Sequence, residues 1–181
     1  MASIDERVWD ATFAAGGRVL VVAIDMGNDH EIGFYDLAHP GQARRRVPGR
    51  FFSRSLAVSP DGGLVASSTG GGLVRLFNPA NGKWIEDLHG HLNAVSGLAF
   101  SADGRRLISA FGGQEAVKLW DVGTWQELLT LGGTGSYLNA ARWSADGDVI
   151  LAGAPWQAWR APSWEEIAAA EAKEKPEAQR P

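Results

Sequence analysis

Short apolar runs bounded by turn residues return along this chain at a nearly constant interval. An apolar or aromatic residue followed three or four positions later by a turn glycine occurs as Phe13-Ala-Ala-Gly-Gly17, Val58-Ser-Pro-Asp-Gly62, Phe100-Ser-Ala-Asp-Gly104 and Trp143-Ser-Ala-Asp-Gly147, the final glycines lying 45, 42 and 43 residues apart. Behind each glycine comes a β-branched or leucine-rich run, over residues 19–24, 64–68, 107–110 and 149–152. A third landmark follows, an aromatic with a small or charged neighbour: Tyr35-Asp36, Phe77-Asn78, Trp120-Asp121 and Trp159-Arg160. Three landmarks in the same order, four times over, mark an internal repeat.

Each unit predicts antiparallel strands. Asp-Gly between two apolar runs favours a tight hairpin, because glycine takes positive φ without a Cβ penalty and Asp bonds its own turn backbone. The hairpin joins the first two strands; residues 116–120 supply a third and the more polar residues 123–131 an outer fourth. Four strands at this period describe a propeller blade, which cannot bury both of its faces alone. The expected fold is therefore all-β, with blades over residues 4–47, 48–89, 90–132 and 133–162.

The third unit, with Gly90-His91, Phe100-Ser-Ala-Asp-Gly104 and Val117-Lys-Leu-Trp-Asp121, resembles a WD40 repeat, and the resemblance runs from about residue 8 to 160. It implies a hydrogen-bonded set in each blade: a His in the entering loop, a Ser or Thr on the second strand, an Asp in the next turn and the Trp of the third strand. Carried onto this chain, that set falls on His91, Ser109 and Trp120 in the third unit, with Gln114 beside Glu115 at the Asp position. The first unit offers Asp29, the second has Arg50 where the His would stand, and the fourth has Thr134 there. The resemblance also implies a binding function, since such propellers present a loop-rimmed face to proteins and peptides. Bacterial relatives with similar Trp-Arg-Ala-Pro-Ser-Trp-Glu-Glu endings look like the C-terminal parts of larger repeat proteins.

Four blades are the lower limit of the propeller range, roughly four to eight, so ring closure is the central question. The chain starts in phase with its repeats, and no segment that could donate a closing strand is recognisable ahead of the first unit. A partial or half ring exposes apolar flanks that need cover. The expectations are a homodimer completing an eight-bladed ring, a piece of a longer repeat protein, or, third, a tight four-bladed closure. At the other end, residues 159–167 align without a gap on 120–128, as a fourth strand would. Ser163 and Glu166 instead form a capping box ahead of an alanine- and glutamate-rich run, and this favours a short helix over 163–175, with a disordered tail over 176–181.

Composition narrows the function. A net charge of −4 argues against nucleic-acid binding, and the run over residues 19–24 is far too short to span a membrane. With no cysteine, nothing calls for an oxidising compartment, and a cytoplasmic location is expected. Arg44, Arg45, Arg46 and Arg50, with Arg54 nearby, form the only dense charge cluster, read either as a landing site for an acidic partner or as a solvated outer strand. Trp9 and Trp156 are the tryptophans expected at an interface. The four histidines lack metal-site spacing, and Asp61, Asp103 and Asp146 share one hairpin position, so no metal, cofactor or catalytic set is expected. The expected function is a non-enzymatic protein-interaction scaffold. The alternatives are a propeller hydrolase or lyase with a central polar site, and a structural remnant of a larger repeat protein.

Overall fold

A computed structural model of the chain describes residues 7–25, 30–39, 45–49, 53–111, 115–134, 140–153 and 156–161. They form fifteen strands in four antiparallel sheets taken up in chain order. The first blade holds β1 (Arg7–Ala14), β2 (Val19–Asp25), β3 (His30–Asp36) and β4 (Arg45–Gly49); the second holds β5 (Leu56–Val58), β6 (Val65–Ser68), β7 (Leu73–Asn78) and β8 (Lys83–His89). The third holds β9 (Gly97–Phe100), β10 (Arg106–Ala110), β11 (Glu115–Asp121) and β12 (Glu127–Gly132); the fourth holds β13 (Ala141–Trp143), β14 (Val149–Gly153) and β15 (Trp156–Arg160). Apart from a 3-10 turn at Ala15–Gly17, the described residues carry no helix. The C-terminal segment expected as helix lies outside them.

The hairpin signals act as the sequence predicts. Gly62, Gly104 and Gly147 all adopt positive φ, between +71° and +82°. Ahead of each, a serine hydroxyl (Ser59, Ser101, Ser144) donates to the turn aspartate (Asp61, Asp103, Asp146), and that carboxylate also accepts a backbone N–H two residues on. The fourth strand of the third blade departs from expectation: it starts at Glu127, not near residue 123. Asp121 accepts the backbone N–H groups of Gly123 and Thr124, which extends the turn, and Trp125 sits in that turn at φ +61° instead of on the outer strand. Its ring packs against the core between the second and third blades.

The core lies in the seams between sheets. One cluster joins Val21, Ala23, Ile32 and Phe34 of the first blade to Leu56, Val65 and Phe77 of the second. Another joins Ala66, Val74, Leu76 and Leu88 to Leu98, Leu107 and Trp120, and the last joins Ile108, Ala110 and Val117 to Ala141, Ile150 and Ala152. The innermost strands β1, β5, β9 and β13 touch in that order. Among the described residues no cluster joins the fourth blade to the first, as a tight four-bladed closure requires.

Because Leu107 is fully buried in a seam, Leu107→Ala is expected to cost about 2–5 kcal/mol of unfolding free energy. Leu92→Ala, at a residue 84% exposed, is expected to cost under about 0.5 kcal/mol. Urea unfolding followed by tryptophan fluorescence measures both.

Candidate functional site

Antiparallel register assigns equivalent positions on the face each blade turns toward its predecessor. In the third blade Leu107 pairs with Trp120 and Ser109 with Lys118; the second has Val65 with Phe77 and Ser67 with Arg75. The fourth has Ile150 with Trp159 and Ala152 with Gln157, and the first has Leu20 with Tyr35 and Val22 with Gly33. The landmark aromatics of the sequence thus share one structural position.

In the third blade this position anchors a hydrogen-bonded chain. Trp120 Nε1 donates to Ser109 Oγ at 2.8 Å, and Ser109 Oγ lies 2.7 Å from His91 Nε2. An indole N–H can only donate, so the serine accepts from Trp120 and its own hydroxyl proton is free to serve His91. That needs a neutral imidazole with a lone pair on Nε2. Burial, and next the charge of Lys118, pull the His91 pKa down to about 4 against the opposing pull of Glu127. Lys118 is itself buried, and its ammonium reaches Glu127 Oε1 at 3.0 Å, Oε2 at 3.1 Å and Thr130 Oγ1 at 2.8 Å. Beside it, Gly90 leaves no room for a side chain: a Cβ there would stand 2.8 Å from Trp120 Cη2 and 2.9 Å from Glu127 Oε2.

The sequence shows neither half of the Lys118–Glu127 pair as special. The partners are nine residues apart across a turn and a bulged ladder, so only the register of β11 on β12 brings them together. Asp29, Gln114 and Arg50 lie outside the described residues. In the second blade the histidine's contact is made by Ser53, which accepts a hydrogen bond from Ser67 at 2.9 Å. In the fourth blade Thr134 meets Gln157 at 2.8 Å, and Trp159 Nε1 donates to the Gly132 carbonyl at 3.1 Å.

The arginine cluster is largely turned to internal use. Arg45 donates to the Ala80 carbonyl of the second blade, Arg46 pairs with Glu31 at 2.8 Å, and the Arg54 guanidinium lies 5.9 Å from the centre of the Trp9 ring. Arg44 lies outside the described residues. Trp9 and Trp156 are both exposed, on the first and last blades. No three His, Asp or Glu side chains among the described residues are placed to hold a metal ion.

A family model described as WD domain, G-beta repeat matches residues 49–78 and 82–121. The chain belongs to the WD40 repeat family. An uncharacterised WD repeat-containing protein of Synechocystis is 30% identical over 139 residues, which cover 76% of this chain and 38% of that protein. Mitogen-activated protein kinase-binding protein 1 of Mus musculus is 43% identical over 70 residues, 38% of this chain and 5% of that protein. The crystal structure of the RRP9 WD40 repeats superimposes with a TM-score of 0.74 at 20% identity, over 91% of this chain and 51% of that one. This chain therefore spans between 5% and 51% of the length of each. The WD40 repeat is also out of phase with the blade: residues 82–121 take in β8 of the second sheet and β9, β10 and β11 of the third.

Two acid transitions follow. The His91 pKa is lowered on folding from an unfolded value of about 6.5, so the unfolded chain binds the proton first. Stability is expected to fall as pH drops from about 6.5 toward 4, and His91→Gln is expected to flatten that window. Asp61, Asp103 and Asp146 are held below the usual carboxylate range, first by their serine hydroxyls and next by backbone N–H groups. Their contribution is present above the unfolded pKa, about 3.9, and is lost below it in both proteins. Thermal melts at stepped pH test both windows.

Proposed function

We propose that the chain is a protein-interaction scaffold whose outer blades are completed into a closed ring by self-association, two copies of four blades making an eight-bladed propeller. WD40 repeat proteins are in general protein-interaction scaffolds. The supporting observation is the leading face of the first blade. Leu20 and Tyr35 occupy the positions that at the three seams are packed against a preceding blade, as Val65 with Phe77, Leu107 with Trp120, and Ile150 with Trp159. On the same face β1 presents Phe13, 63% exposed, and Val8, 41% exposed. The Tyr35 ring and Ile24 Cδ1 both lie against Gly33, and Val22 and Ile24 on this face are buried, a partial cover for a surface that elsewhere in the chain is covered by a sheet. The protein or peptide partner would meet the loop-rimmed face, with Trp9, Arg54 and Trp156 as exposed contacts, and a cytoplasmic setting suits the cysteine-free composition.

Light scattering on the purified chain is expected to give twice the monomer mass. Phe13→Asp, at an exposed position, is expected to return it to the monomer with its circular dichroism unchanged. A native chain that stays monomeric at high concentration overturns self-association, leaving the flank to blades of another polypeptide.

A further inference from the structure

The seam between the first two blades holds a small, partly open cavity of about 10 Å³, lined by Ser53, Ser67, Thr69, Arg75 and Phe77 of the second blade and by β3 and β4 of the first. The third blade shows what the same positions hold when filled. There, Trp120 Nε1 donates to Ser109 from the position that Phe77 occupies in the second blade, and the imidazole of His91 reaches the same hydroxyl. Phe77 is smaller than tryptophan and carries no donor, and Ser53 is much smaller than histidine.

Ser67 and Ser53 bond each other at 2.9 Å, so their remaining lone pairs have no indole donor. Arg75 lies directly across the ladder from Ser67 and sends Nε and Nη2 to Asp87 at 3.1 and 3.3 Å. Among the described residues its Nη1 has no protein acceptor. Charge in the cavity wall is balanced, Arg75 by Asp87 and Glu31 by Arg46, and the third titratable group of the wall, His30, lies 3.6 Å from Asp25, so an ionic occupant would meet no unpaired counter-charge. The space sits at the lower bound for a single water, and two to four polar partners are what a buried water needs.

We infer that this cavity binds one ordered water molecule, which donates to the Ser53 and Ser67 hydroxyl oxygens and accepts from the Arg75 guanidinium, in place of the histidine and tryptophan side chains used by the third blade. The solvent is a structural ligand of this seam. It completes in the second blade the network that the side chains leave unfinished.

Diffraction from crystals of the full chain, at a resolution that orders solvent, is expected to show one density peak within hydrogen-bond distance of a serine hydroxyl and of Arg75. An empty cavity overturns the inference, as does a guanidinium bonded directly to the serines. Phe77→Trp supplies the missing N–H and is expected to expel the water, so that the variant's crystals lack the peak and its melting temperature does not fall. Retention of the peak beside a well-ordered indole overturns the substitution of side chain by solvent. Should that variant not fold, Ser67→Ala removes one anchor with a smaller side chain. Water-proton relaxation dispersion is then expected to show the residence time of one buried water shortened at least tenfold, and an unchanged dispersion overturns the assignment.

Discussion

A four-stranded sheet with apolar residues on both faces has nothing of its own to cover them, and every other property of this chain is arranged around that shortage. The ladder hydrogen bonds are closed within each sheet, so what a neighbouring blade chiefly supplies is apolar cover. Val21, Val65, Val74, Leu76, Leu107 and Val117 are all essentially removed from water at seams between sheets. Full burial of one such side chain contributes about 1.5–3 kcal/mol, against about 1 kcal/mol net for a typical hydrogen bond. The side-chain network can therefore vary from blade to blade while the stack persists.

It does vary, and each seam settles its polar groups differently. Between the second and third blades, a buried lysine is tolerated because Glu127 and Thr130 meet its ammonium, and burial, with that charge added, keeps His91 neutral. Between the first and second, Asp10 accepts the backbone N–H of Leu56 at 2.7 Å and Arg45 reaches the Ala80 carbonyl, so polar links cross from one sheet to the next. Between the third and fourth, Trp143 Nε1 donates to the Ala99 carbonyl at 3.2 Å. A buried polar group costs free energy wherever it lacks a partner, and these contacts supply one at each seam.

Much of the fold was legible in the sequence because its determinants are local. The Asp-Gly pairs after Ser59, Ser101 and Ser144 act within five residues, and the strands that follow them begin within a residue or two of the expected runs. His91, Ser109 and Trp120 were readable through the family pattern. Ser53 was not, since it reaches Ser67 from a different loop position than a histidine would, and neither was the Lys118–Glu127 pair, which depends on a bulged ladder. Trp125 read as outer strand because its neighbours are strand-like, but Asp121 captures the backbone first and tertiary packing holds the ring against the seam. The arginine run read as a charged surface; two of its members are engaged within the chain because β4 runs beside the second blade and pairs with β3.

The one-strand offset between the WD40 repeat and the sheet has a bearing on how such a chain can change in length. A duplicated segment equivalent to residues 82–121 would bring an outer strand for the blade before it and three inner strands for the blade it begins. The new sheet would then be finished by whatever outer strand already follows in the gene. An array can in this way take up a unit with every sheet at the join still four-stranded, and what then sets the number of units is ring closure.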